Sequence, residues 1–311
     1  MEGLLTQPFL TALLFGAVTA GIPLLLAGLG EQISEKAGVL NIGIEGMMLF
    51  GAYTGFVAAY YSGSFGLGFL AGGLGGMLVA SLVMLFCIRF GLNQIVIGIA
   101  VTLGFEGLTS LLHHFQFSRT YPRLSAAPTL AIPGLSEIPV LGPGLFQQNA
   151  MVYLAVALVV FMAWLFRNTY VGLNLEAAGS KPAALDAAGV DVLRTRACAV
   201  LSTGFLAGVG GAFMANVGAG IFVPFMTGGA GFIGIVLAML ARGRPIWVLL
   251  GAILFGVSLA MTTALQVAGV NIPTDVVQML PFAMVMLVLV IFARHSVLPP
   301  ALGLPYVRGD R

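Results

Sequence analysis

Polar side chains are few in this sequence, and they recur at helical spacing. Thr102, Glu106, Thr109 and His113 follow one another at intervals of four, three and four, so one helix carries them on one face. Ser258, Thr262 and Gln266 repeat the pattern, and Asn41, Glu45 and Met48 share a third face. All three sets sit in apolar surroundings. A carboxylate at such depth must be paired, protonated or turned to a cavity. Three stripes therefore predict a polar path through a helix bundle, with Asn41, Glu45, Asn93, Gln94, Thr102, Glu106, Thr262 and Gln266 as its candidate lining. For Ser and Thr the simpler reading is a hydroxyl bonded to its own helix carbonyl.

Other chemistries lack their residues. Two separate glutamates with no embedded Lys or Arg make a poor proton relay. The pair His113–His114 has no Cys or Asp beside it to complete a metal site. The sequence contains no G-x-x-x-x-G-K-[ST], no H-E-x-x-H and no G-x-S-x-G, so it neither binds ATP by a P-loop nor carries those hydrolase centres. Cys87 and Cys198 stand far apart in apolar stretches and read as small buried hydrophobes.

The elements that hold these residues are set by composition. Charged residues make up 8% of the 311 and hydrophobic ones 59%, against about 25% charged in a soluble domain. Mean hydropathy is +1.05. A soluble globule and a disordered chain are both excluded. The net charge of +2 gives no case for nucleic acid. An all-α, polytopic transmembrane bundle remains, read as one domain over residues 1–311. Its 43 glycines suit helices whose backbones approach closely.

A span needs about 20 apolar residues. Hydropathy places nine, in a range of eight to ten, at 8–30, 38–60, 66–88, 92–113, 150–166, 197–217, 221–241, 246–268 and 277–293. The regions 38–60 and 217–235 are broken by glycine and read as candidate broken helices or re-entrant pieces. The first apolar run has no preceding Lys or Arg, so it is a retained span rather than a signal peptide. With nine spans, Lys36, Arg89, Arg167, Lys181, Arg194, Arg196, Arg242, Arg244, Arg294, Arg308 and Arg311 all fall on one side, the cytoplasm. The N-terminus and the Pro- and Gly-rich 114–149 loop, with Arg119 and Arg123, lie outside. Gly68, Gly72, Gly76 and Ala80 form a small-residue stripe, as do Gly204, Gly208 and Ala212. Close packing inside one bundle is the simpler reading, a dimer face the alternative.

The loop 167–196 differs from the others. Ala, Leu and Glu favour helix there, Gly179 and Pro182 interrupt it, and Gly189 ends a second short helix. Such a compact surface element is a natural docking site for a soluble partner. Leu173, Leu175 and Leu185 are expected as its apolar anchors, with Glu176, Lys181 and Asp186 at the rim.

Two stretches carry a family resemblance. EKAGVLNIGIEGMMLFGAY at 35–53 resembles the signature of ABC-importer permeases for simple sugars, nucleosides and branched-chain amino acids. GLNLEAAGSKPAALDAAGVDV at 172–192 resembles that family's cytoplasmic coupling motif, through Gly172, Leu173, Ala177, Gly179, Pro182, Ala184 and Gly189. Leu185 stands where the family usually has a second alanine. Asn-Ile-Gly-Ile-Glu-Gly at 41–46 is most similar to nucleoside-type permeases that work with a basic-membrane-protein lipoprotein receptor. Glu106 has no counterpart in the pattern.

The resemblance implies a multi-pass protein of the bacterial plasma (inner) membrane that is a transport subunit and not an enzyme. It implies a second permease subunit, different or identical, to complete the pathway. It implies an extracytoplasmic substrate-binding lipoprotein and a cytoplasmic ABC ATPase, which binds the ATP, so this chain needs no cofactor and no metal. The ATPase would couple through Leu173, Glu176, Ala177, Gly179, Ser180, Pro182, Ala184, Leu185 and Gly189, and transport would proceed by alternating access. A sugar or branched-chain amino acid substrate, a secondary transporter or channel, and a structural membrane protein are the alternatives.

Overall fold

The computed structural model describes residues 6–267 and 298–307, with residues 279, 283, 286, 287 and 290 placed singly between them. The described chain is mostly helical: α1 Gln7–Lys36, α2 Ile44–Ser62, α3 Phe65–Val83, α4 Gln94–Phe117, α5 Ala150–Asn168, α6 Tyr170–Ser180, α7 Pro182–Ala187, α8 Val192–Phe213, α9 Ala230–Ala241 and α10 Pro245–Val267. Single π-helical turns, Met84–Arg89 and Met214–Ala219, prolong α3 and α8.

Local sequence sets the boundaries. Asn93, Asn149, Thr169 and Asp191 each accept a backbone N–H from the first turn of α4, α5, α6 and α8, satisfying donors that a helix start leaves free. Pro182 and Pro245 open α7 and α10, where their missing N–H costs nothing.

Five described helices are long and apolar enough to cross a membrane: α1, Phe65–Arg89, α4, α5 and Val192–Ala219. The ninth expected span, 277–293, falls almost wholly outside the described residues. Two expected spans are broken. The segment 37–43 re-enters as non-helical chain before α2 begins, and 220–229 is a run of turns before the 12-residue α9. The long 118–149 loop departs from an all-helical reading in a small way. Leu130–Ala131 pairs antiparallel with Gln147–Gln148, which returns the loop over Leu14 of α1, beside Gly144.

Helix α1 is the axis of the bundle, with Leu24, Leu25 and Leu29 fully buried among α8, α9 and α10. Beside it, α2, α3 and α8 meet along glycine. A Cβ at Gly76 would strike the Gly204 carbonyl, one at Gly208 the Gly72 carbonyl, and one at Gly211 the Met48 carbonyl. The two predicted small-residue stripes therefore face each other inside this chain. Lipid tails are as apolar as Leu, so such helices gain by close backbone contact rather than by escaping water. Cys87 is buried, but Cys198 is exposed on α8, a correction to the reading of both as core.

The links sort to two ends. Gly303 N–H donates to the Gly38 carbonyl, Gly243 abuts Lys36, Gly91 abuts Pro305, and Lys36 Nζ lies 5.0 Å from the Phe166 ring centre. The α1–α2, α3–α4 and α9–α10 links, the α5–α8 loop and the tail thus share one end. The opposite end joins Leu124 to Gly220.

Candidate functional site

The broken segments meet inside the bundle, and polar side chains hold them there. Glu45, in the first turn of α2, is 2% exposed. Its Oε1 accepts the Gly229 N–H at 2.8 Å and its Oε2 the Gly231 N–H at 2.6 Å. The carboxylate thus caps α9 from another helix, where the helix dipole favours negative charge. Both of its oxygens are engaged by backbone. Gly231 packs directly on the Glu45 backbone, which a larger residue would push away.

The re-entrant chain is fastened from two sides. The Leu40 N–H donates to Gln94 Oε1 at 2.8 Å, and Thr102 Oγ1 donates to the Ile42 carbonyl at 3.4 Å. The Asn41 N–H donates to Glu31 Oε1 at 3.0 Å, and Asn41 Nδ2 approaches Met47 Sδ at 3.4 Å. Here α4 lies against the 37–43 segment and α2, so its polar stripe runs along that junction. Glu106 is half-buried, one turn beyond Thr102 on that stripe.

The structure brings Asn41, Glu45, Gln94, Thr102 and Glu106 together. Asn93 stands apart: it is exposed, and its Oδ1 accepts the Ile95 and Val96 N–H groups as the cap of α4. The side chains of Thr262 and Gln266 lie outside the described residues. Thr109 donates to the Phe105 carbonyl and Ser258 to the Leu254 carbonyl, each within its own helix. His113 is buried among Phe117, Tyr121 and Phe222, while His114 is exposed, so the two imidazoles do not converge.

Sequence reasoning passed over the last turns of α1. Glu31, Gln32 and Glu35 are buried there, and Glu31 Oε2, both polar atoms of Gln32, Glu35 Oε2 and Asn41 Oδ1 have no partner among the described residues. Ser34 Oγ pairs with Thr203 Oγ1 at 2.7 Å, joining α1 to α8. A polar run, E-Q-x-S-E, inside an otherwise apolar span was the available signal.

The predicted surface loop forms the two expected short helices, α6 and α7, with Gly189 in the left-handed region at φ +86°. The anchors need correction. Leu175 and Leu185 are buried in this chain, Leu185 against Ala178, Val192 and Tyr306. Leu185 faces inward because α8 and the tail already cover it, and Leu175 because it joins the main core of the bundle. Leu173, Glu176, Lys181 and Ala184 are exposed, as are Tyr170 and Val171. Gly179 packs on the Lys36 carbonyl, Ser180 Oγ donates to the Glu176 carbonyl, and Ala177 and Pro182 are half-buried.

Comparison with known proteins matches this architecture to transport. The family described as branched-chain amino acid transport system permease component covers residues 13–289. The "Putative glucose ABC transporter permease protein" of Haloferax volcanii is 39% identical over 80% of this chain and 76% of its own. The nucleoside ABC transporter permease protein NupC of Lactococcus lactis subsp. cremoris is 32% identical over 92% and 93% of the two chains. The guanosine ABC transporter permease protein NupQ of Bacillus subtilis is 31% identical over 93% and 94%. With nearly its whole length matched and its helices broken where polar side chains meet, this chain belongs to the ABC transporter permease family of branched-chain amino acid transport system permease components.

Proposed function

We propose that the protein is the transmembrane subunit of a nucleoside importer of the bacterial plasma membrane, with residues 1–311 acting as one permease domain. The observation that carries this is similarity to two nucleoside permeases over more than nine-tenths of the chain. In this reading the end that gathers Lys36, Arg89, Arg167, Arg242 and Arg244 is cytoplasmic, in keeping with positive charge on that side. The N-terminus and the 118–149 loop are external. A second permease completes the pathway, a cytoplasmic ATPase binds the ATP and docks on the exposed face of α6–α7, and a lipoprotein receptor delivers substrate. The chain carries no cofactor.

The pathway runs past Asn41, Glu45, Gln94, Thr102 and Glu106, with Thr262 and Gln266 contributing from α10. Irregular backbone at membrane depth is tolerated where it lines a cavity, and 37–43 and 220–229 supply it. Nucleosides offer hydroxyls and ring nitrogens, which neutral polar groups hold weakly enough to release. Asn93 shapes the site only by starting α4.

The test is ATP-driven uptake into vesicles holding the complete transporter. Labelled guanosine, adenosine and uridine should enter only with ATP and receptor, and unlabelled nucleosides should compete. Competition by glucose alone would favour the second reading, a sugar permease, for which the haloarchaeal relative speaks. An impermeant thiol reagent should label Leu130→Cys from outside and Ala184→Cys only from inside. Labelling of both from outside would overturn the orientation.

A further inference from the structure

Arg196 was expected as one of several cytoplasmic charges, yet it is 3% exposed. Its guanidinium reaches backbone carbonyls on three separate stretches of chain. Nε donates to Ala37 O at 3.0 Å, Nη1 to Leu304 O at 2.7 Å, and Nη2 to Ala178 O at 3.1 Å and Ala301 O at 3.5 Å. Ala37 caps the C-terminus of α1 and Ala178 lies in the last turn of α6, where helix carbonyls lack partners and the dipole favours a cation. The planar five-donor fork of arginine fits such a cluster, and a lysine ammonium would not.

The same three stretches bond to each other. The Ala301 N–H donates to Gly179 O at 2.9 Å, and the Gly303 N–H to Gly38 O at 3.0 Å. A Cβ at Gly179 would strike the Lys36 carbonyl, and Gly38 holds φ +84°, a conformation other residues adopt only with strain. Tyr306 closes the knot over Leu185 and Val192. The surface helices are therefore fixed to the start of the 37–43 segment, whose far end carries Asn41 and leads into Glu45, the cap of α9.

We propose that Arg196 and the tail 301–306 form the clamp that delivers displacement of α6–α7 to the 37–45 segment and so to the mid-bundle start of α9. Arg196 is a positioning residue: it acts through the backbone it holds and touches no substrate. This rests on the transport reading above. It adds that force enters the bundle at the α1–α2 link, carried there by a side chain from the first turns of α8, and not only along the chain through α5 and α8, which flank the loop in sequence.

The experiment uses the complete transporter in vesicles and reads substrate molecules taken up per ATP hydrolysed. Arg196→Gln, and separately a chain ending at residue 297, should each lower that ratio at least tenfold while pull-down still recovers the assembled complex with the ATPase hydrolysing ATP. Arg196→Lys should fall between. The double variant should be no worse than the poorer single one, because both remove one clamp. A ratio equal to wild type in both single variants, with uptake and hydrolysis falling together, would show a merely structural role and overturn the proposal. Multiplying losses in the double variant would overturn the shared clamp. A wild-type complex with no ATP-dependent uptake would sink the transport reading first, and this inference with it; that outcome is read before any variant is made.

Discussion

Two glycine-rich regions of this bundle serve opposite ends. Along α2, α3 and α8, Gly51, Gly72, Gly76, Gly204 and Gly208 meet backbone and alanine methyls, while Thr54 and Asn216 add hydrogen bonds only to either side of that contact. At the junction of 37–43, α4 and α9, the breaks in the helices instead expose backbone groups of Leu40, Ile42, Gly229 and Gly231, which Gln94, Thr102 and Glu45 satisfy. The first arrangement has one solution, since backbones in van der Waals contact cannot slide without collision. The second depends on a few directional bonds that can be exchanged for others. Glycine content alone does not distinguish a rigid seam from a movable joint; what fills the space beside it does.

The comparison breaks most completely at the seam. Gly76→Leu should abolish folded protein, because its side chain enters the space of Gly204 and Gly208. Overpacking even a side-chain contact costs about 1–3 kcal/mol, and this contact is backbone. Size-exclusion chromatography in detergent and a thermal melt would read it; a monodisperse variant with wild-type melting would refute the rigid seam. At the joint, Glu45→Gln keeps the shape but offers one acceptor oxygen for two N–H groups. A hydrogen bond to a charged group contributes roughly 1.5–3 kcal/mol, so a stability loss of about 2 kcal/mol in a denaturant titration is expected. Uptake should fall further than stability explains, since the start of α9 is freed.

Farther along α4, Glu106→Gln should leave the melting temperature unchanged and alter uptake several-fold, because Glu106 is half-buried and the cap does not rest on it. Unchanged uptake and substrate preference would make it a packing residue. The smallest effect belongs to Thr109→Val on the same stripe. Its hydroxyl serves its own helix, so the variant should lose less than about 1 kcal/mol and transport normally. A strong transport defect there would extend the pathway beyond the joint.

What was legible in the sequence follows contact range. The α6–α7 break at Gly179–Pro182 and the stripe phase of Thr102 and Glu106 are local, and the residues suffice to place them; the cap at Asn93 is just as local, yet its polar side chain beside an apolar span read as pathway lining. The meeting of the two small-residue stripes could be named but not paired. The two backbone donors that Glu45 accepts from lie 184 and 186 residues away, so its role as a cap left no local trace. The inward turn of Leu175 and Leu185 was misjudged because an amphipathic helix does not announce which neighbour covers it. Here Tyr306 supplies part of the cover from the far end of the chain. Arg196 looked like one more inside charge for the same reason.

The tail has a consequence for biosynthesis. Ala301 lies 105 residues beyond Arg196, so α6, α7 and the base of α8 leave the ribosome well before the segment that seals them. At about 5–20 residues per second, the delay is roughly 5–20 s. During that interval Leu185 lacks Tyr306 and Arg196 lacks two of its acceptors, leaving the knot around α6 and α7 half-built. A nascent or prematurely terminated chain therefore carries α6 and α7 before they are fastened to the 37–43 segment, and that fastening waits for a chain translated past residue 306.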